Sequence, residues 1–474
     1  MSDNAGITRR ALLAGAAGAG VLAPMAGADV GPMAGEVPPP PSPGRAVLLR
    51  GGMVLTLDPA QGDYPRADVR LEGSRIVDIA PRIEAGDATV VDVGGCLVIP
   101  GFVDTHRHMW QGQLRNLLPD AVLGEYVQRI LQEARPAYTP EDVFLGTRLS
   151  ALGALNAGIT TVLDWSHVGT SPAHADAGVA ALRDSGIRAI YAYGSGAPGP
   201  ENAWPGDLAR LHREQHRGAE DRLGFALAAG LDPAPWAHAR ELGLPVSIHV
   251  NSTDALLPVA EHLDSQMIYV HGCRLSKAEW RLIADTGGGL SIAGPIEMQM
   301  GHGIPPYQQA IDHGVALSLG NDVETSTSGE FFTQMRTAFA VQRMLAQTAA
   351  AEGASAPALL GVREILAIAT RGGAEVLGLA DAVGTLAPGQ RADIVVLDPG
   401  LLNVAPLNDA YGAVVTAMET ANVRDVFVDG QALKWRGRLV GVDLGALQTA
   451  LARSRASIVR AAGWSGDPLA PFSR

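Results

Sequence analysis

The chain is short of cysteine, lysine, aromatic residues and positive charge, and each scarcity closes off a class of function. Its two cysteines, Cys96 and Cys273, fall in separate predicted strands. They form no C-x-x-C zinc motif and no disulfide framework. Cys273 lies two residues from His271 and reads as a packed core thiol, with a soft neighbour of a metal site as the alternative. Aromatic residues make up only 5% of the chain and charged residues 18%, against 47% hydrophobic ones. That balance excludes a disordered chain and fits a globular one. The net charge is -13 and no basic stripe is visible, which excludes nucleic acid and stable membrane association as main partnerships. Lysine occurs only at Lys277 and Lys434, so nearly all the basic residues are arginine.

At 474 residues the chain can bury a large core, and its composition shifts mark several segments. Thr8-Arg9-Arg10-Ala11-Leu12-Leu13 opens an apolar run through Ala23, followed by Ala26-Gly27-Ala28. A charged start, a short apolar stretch and an A-x-A end read as a signal peptide over 1–28, too short to span a membrane comfortably. The paired arginines resemble a twin-arginine export signal, which implies a periplasmic or secreted protein. Residues 29–45, with the Pro-rich Glu36–Gly44, read as a linker. Residues 46–99 and 379–445 both show short alternating strands punctuated by Gly-Ser and Gly-Gly, the pattern of β-sheet. They are expected to pair as a small β-sandwich, followed by a helical tail over 446–474.

Between them, residues 100–378 alternate short apolar runs with amphipathic ones. The predicted strands are Phe102–Thr105, Thr160–Asp164, Arg188–Ala192, Leu223–Ala229, Pro245–His249, Met267–His271, Gly289–Ala293 and Val315–Leu319. Helices are expected between them, among others at Glu141–Asn156, Ala173–Ser185, Ala234–Leu242 and Lys277–Thr286. Eight strand–helix units predict an α/β fold, a (β/α)8 TIM barrel, whose chemistry gathers at the C-terminal strand ends. Polar groups stand there. Val98-Ile99-Pro100-Gly101-Phe102-Val103-Asp104-Thr105-His106-Arg107-His108 ends in an H-x-H pair. Residues i and i+2 of a strand face the same way, so both imidazoles can aim at one divalent metal. His249, His271 and Asp322 stand just past other apolar runs, on strands five, six and eight.

Taken together, these motifs resemble the amidohydrolase superfamily in its deaminase/chlorohydrolase branch. Gly384-Thr385-Leu386-Ala387-Pro388-Gly389-Gln390-Arg391-Ala392-Asp393-Ile394-Val395 resembles the return of such chains into their small sandwich. The resemblance implies that His106, His108, His249 and Asp322 hold the metal, and that His271 either joins them or bonds the attacking water or substrate. Many family members bridge two metals with a carbamylated lysine on strand four. Neither lysine of this chain lies there, so one divalent ion, Zn2+ or Fe2+, is expected. The resemblance implies hydrolysis of a small molecule, with Asp322 taking a proton from activated water. A C–N bond of a heterocycle, amide or cyclic amide is the expected target. Displacement of chloride, or a barrel that binds metal or ligand without turnover, are the alternatives. A homo-oligomer is compatible with the resemblance.

One position departs from the pattern. Deaminases of this branch usually carry Glu three residues after the strand-five histidine, and here that residue is Ser252. Serine cannot shuttle protons as a carboxylate does. Glu297, after strand seven, is the expected substitute, ahead of Glu324 and Asp254. Trp110, Gln111, His167 and His302 are expected to contact substrate, and Trp165 stands on the same rim.

Overall fold

The computed structural model describes residues 38–196, 201–218 and 220–472. The signal-peptide reading of residues 1–28, and the start of the linker, lie outside them. The unit Pro40–Arg474 begins with strands β1 (Val47–Val54), β2 (Tyr64–Glu72), β3 (Arg75–Ala80), β4 (Thr89–Asp92) and β5 (Leu97–Pro100). Eight strands follow: β6 (Phe102–Arg107), β7 (Ile159–Ser166), β8 (Arg188–Gly194), β9 (Leu223–Ala229), β10 (Val246–Val250), β11 (Met267–His271), β12 (Gly289–Ile292) and β13 (Ala316–Leu319). Strands β14 (Ile394–Leu397), β15 (Val423–Val428), β16 (Gln431–Trp435) and β17 (Arg438–Leu439) come last. No helix among the described residues is long and apolar enough to cross a membrane.

Strands β6 to β13 pair in chain order, all parallel. Alternation divides their side chains between two cores. On β9, Phe225, Leu227 and Ala229 join the layer beneath the helices, while Ala226 and Ala228 point into the barrel with Leu163, Ile190 and Ala192. Ala374 and Val376 belong to that interior cluster. The helices begin where the sequence caps them. Thr139 and Asp142 form a reciprocal capping box ahead of Pro140–Asn156. Ser276 and Glu279 do the same for Lys277–Thr286, which ends at Gly287 in the left-handed conformation.

The barrel closes at its seam by hydrogen bonds that also build the site. Asp322 N–H donates to the His106 carbonyl at 2.8 Å, and His108 N–H donates to the Asp322 carbonyl at 2.9 Å. Gly320 allows the approach, because a Cβ there would stand 2.7 Å from Ser291 Oγ and 3.1 Å from the His106 carbonyl. The flanking segments pair as well: β14 runs antiparallel to β5, with Leu397 opposite Leu97 and Ile394 opposite Pro100. The result is one nine-stranded sheet around its own apolar cluster, which includes Val54, Val69, Val98, Ile394 and Phe427. Arg188, at the start of β8, donates to both carboxylate oxygens of Asp393 at 2.8 and 3.0 Å, tying the barrel to that sheet.

Candidate metal centre

Four side chains converge where β6 meets the seam. His106 Nε2 lies 3.2 Å from His249 Nε2. Asp322 Oδ1 lies 3.4 Å from Nε2 of both His106 and His108. Ligand atoms bound to one tetrahedral ion at about 2.0–2.1 Å stand roughly 3.3 Å apart. The spacing and the donor chemistry fit a divalent metal, with His106, His108 and His249 forming one set of three donors and His106, His271 and Asp322 another. His271 Nε2 is farther from the carboxylate, 3.9 Å from Asp322 Oδ2. It also falls within reach of a ligand set with His106 and Asp322.

Hydrogen bonds set the imidazole tautomers. His108 Nδ1–H donates to the Trp165 carbonyl at 2.8 Å, which leaves its Nε2 lone pair for a metal. The next backbone N–H, of Met109, donates to Asp164 Oδ1 at 3.1 Å, so the end of β7 holds the end of β6. Burial pushes the His108 imidazole down to about 3. His249 is held well below its ordinary value by burial and by the charge of His106. A neutral imidazole is the form that can bind a metal. Burial alone would raise the Asp322 carboxyl, but the hydrogen bond and charge of His106, helped by His271 and His108, hold it well below the usual range.

Two of these positions carry backbone that only the tertiary structure reveals. Asp322 does not end β13 but lies three residues past it, at φ 64°, and His271 has φ 73°. Such left-handed backbone costs non-glycine residues about 1–3 kcal/mol and persists where the surroundings impose it. At Asp322 the imposing contacts are the two seam hydrogen bonds to β6.

Glu297 is placed behind His271 and away from the open cavity. It is fully buried, its Oε1 accepts from Ala293 N–H at 2.8 Å, and His271 Nδ1–H donates to the same oxygen at 3.3 Å. Burial raises the Glu297 carboxyl, and Glu297 in turn raises His271 against the effect of burial. The carboxyl therefore acts on the site through the imidazole that it orients. Partners of this kind are typically worth 10–100-fold. Glu297→Gln is expected to lower kcat by about that factor while the ligand set stays intact. Unchanged kcat would leave Glu297 a packing residue.

The other two acids do not reach the site. Glu324 is clamped by Arg107 and Arg115 and accepts from Ser150 Oγ at 2.9 Å. Asp254 is exposed on a left-handed turn, and Ser252 beside it is also exposed.

A cavity of about 250 Å³ opens over the ligands, with His108, His249, His271 and Asp322 in its wall. His167 and His302 line it as the sequence suggests, and so does Trp165. Trp110 and Gln111 require correction, because both stand one layer back. The chain leaves β6 in a tight helical turn, Met109–Leu114, which rotates them off the strand face. Trp110 packs edge-on to Tyr138 and donates to His167 Nδ1 at 3.4 Å, and Gln111 donates to the Tyr126 hydroxyl at 2.6 Å. They orient wall residues without touching the cavity.

Asn251 was missed, although it stands two residues past His249, within reach of the period-two argument. Its Oδ1 accepts from His302 Nδ1–H at 3.0 Å. Leu123, Tyr126, Val127, Leu131, Met300 and Val323 form the apolar remainder of the wall. No local sequence signal marks them, because they come from three separate segments, after β6, β12 and β13, brought together over the barrel mouth.

The amidohydrolase family model matches residues 97–433, and the chain belongs to the amidohydrolase family. Over 404 residues it is 30% identical to a 5-methylthioadenosine/S-adenosylhomocysteine deaminase of Natronomonas pharaonis, covering 79% of this chain and 90% of that protein. A 5'-deoxyadenosine deaminase of Methanococcoides burtonii is 25% identical, covering 82% and 92% of the respective chains. An adenosine deaminase structure from Xanthomonas campestris with bound zinc shares the fold, at TM-score 0.76 and 23% identity over 88% of this chain and 99% of that one. So does a zinc complex of atrazine chlorohydrolase from Arthrobacter aurescens, at TM-score 0.76 and 22% identity over 87% and 100%. The chain is a metal-dependent hydrolase that cleaves a C–N bond of a small molecule, a bond other than a peptide bond.

Proposed function

We propose that this hydrolase deaminates a small, uncharged nitrogen heterocycle, using one zinc ion. The cluster of three Nε2 atoms and one carboxylate oxygen beside the cavity carries the reading. The names of the deaminase relatives support the reaction, and the wall supports the substrate. Asp322 is the one carboxylate and no lysine or arginine appears among the described residues lining the cavity. A phosphate or carboxylate would find no lysine or arginine there, and a cationic substrate would find only a carboxylate engaged with histidines.

A bound divalent ion supplies Lewis acidity that brings the pKa of water toward neutrality. Asp322, ionised and between His106 and His108, accepts the proton as water adds to the sp2 carbon bearing the amine. His271, steered by Glu297, is placed to hold substrate or leaving nitrogen and to exchange a proton with it. His302 is kept neutral by burial, down to about 4. With its Nδ1–H on Asn251, its Nε2 is left as an acceptor for a substrate N–H. Ammonia then departs with the proton that Asp322 received.

Chloride displacement is favoured by one observation, the exposed Ser252 where a second carboxylate would stand. A halide needs no proton to leave. A panel of amino- and chloro-substituted heterocycles separates the two, read by ammonia and chloride release. Chelation should abolish turnover, and about one equivalent of zinc per chain should restore it. Activity that survives complete metal removal would sink both readings. We also propose export by the twin-arginine route, supported by Arg9-Arg10 and the apolar run after them. Replacing both arginines with lysine should retain the protein in the cytoplasm, and continued export would refute the route.

A further inference from the structure

The cavity roof is a helical run that has the site on one side and the end of the chain on the other. Leu123–Tyr126 forms an α-helical turn and Val127–Ala134 continues it with π-helical hydrogen bonding. Its Leu123, Tyr126, Val127 and Leu131 face the cavity. Ile130 and Ala134, completely buried, share one apolar cluster with Ile458, Val459 and Trp464. Ile458 and Val459 lie in the last turn of the C-terminal helix Leu444–Ala461, whose Leu447 packs with Leu145 and Leu152 of the helix Pro140–Asn156.

Two polar contacts fasten the same face. Trp464 Nε1–H donates to Glu133 Oε2 at 2.6 Å. The Arg129 guanidinium lies 4.6 Å over the Phe472 ring, and Arg129 pairs with Glu133 at 3.1 Å, one turn away. Isolated helices of this length are marginal in water, and π-helical runs are rarer still. The roof therefore takes its position from what packs on it.

We infer that residues 458–472 are a strap that positions the roof and thereby sets what the cavity admits, with Trp464 and Phe472 as positioning residues. Neither residue is among those lining the cavity; both act through Glu133 and Arg129 on Tyr126, Val127 and Leu131. The inference rests on the proposed reading of the cavity as the substrate site. It predicts an effect on binding with little effect on the chemical step, because Asp322, His271 and the metal ligands belong to the barrel and its seam.

The test uses the full chain loaded with zinc, as wild type, Trp464→Phe, Phe472→Ala, the double variant and Phe472→Tyr. Hydrogen exchange of residues 123–137 should quicken about tenfold in the double variant, with β6, β10, β11 and the zinc content unchanged. For a substrate that turns over, KM should rise about three- to tenfold with kcat within about twofold. Phe472→Tyr keeps the ring beneath Arg129 and should behave as wild type. The inference is overturned if roof exchange in the double variant is unchanged, or if exchange rises throughout the barrel. It is equally overturned if Phe472→Tyr is as impaired as Phe472→Ala. Should no heterocycle release ammonia, the proposed reaction fails, and the exchange measurement still decides the strap.

Discussion

Asp322→Asn is expected to lower kcat by about 10³–10⁴-fold while most of the metal stays bound. The asparagine keeps the size of the side chain, and the seam hydrogen bonds come from backbone atoms, so the barrel should close as before. What disappears is the anion between His106 and His108, the group proposed to accept the proton from water. Three imidazoles remain to hold an ion, whereas His106→Ala removes a ligand from the centre of the cluster and should lose metal and activity together. The comparison therefore separates base from ligand. The measurements are steady-state kcat and metal content of the same preparations. An Asp322→Asn enzyme with full metal and kcat within tenfold of wild type would remove Asp322 from the mechanism.

The second large effect is on stability. Arg107, between the H-x-H histidines, is completely buried. It donates to Asp104 at 2.7 Å and to the Gly329 carbonyl at 3.0 Å, and it clamps Glu324 together with Arg115. Removing one partner of such a buried network costs about 3–5 kcal/mol, because the remaining charges stay buried without it. Arg107→Met should shift the urea midpoint accordingly, and a loss under about 1 kcal/mol would show that water reaches the network.

The same network gives a pH signature. Burial would raise the Glu324 carboxyl, but Arg115 and Arg107 hold it at about 2, below its ordinary 4.5. A depressed carboxyl stabilises the fold fully above its unfolded value, and that stability is lost as pH falls from about 4.5 toward 2. The loss is on the order of 3 kcal/mol. Glu324→Gln should flatten this acid limb, whatever it does to stability at pH 7. An unchanged limb would assign the acid transition to other groups.

These two clusters also show where reading the sequence succeeds. His106, His108, His249 and His271 were legible because each follows an apolar run, and a strand that enters a barrel must deliver its last side chains to the rim. The helix Pro140–Asn156 was legible to within a residue, its start shifted only by the Thr139 cap. Trp110 and Gln111 were misplaced because period-two reasoning was carried past the end of β6 into a helical turn. The position of Glu297 behind His271 depended on the route of the chain after β12, which residue spacing along the sequence does not encode.

Local pattern thus determined the (β/α)8 architecture, the strand content of the flanking segments and the placing of histidines at the strand ends. Each of these follows from hydrophobic periodicity and from donor chemistry, and both are properties of short stretches. The tertiary structure decided the rest. It bent the backbone at His271 and Asp322, paired Glu297 with His271 and Glu324 with two arginines, and laid the chain's end over the cavity roof. Those outcomes depend on contacts between residues as far apart as Glu133 and Trp464, and such contacts are set by packing of the whole chain.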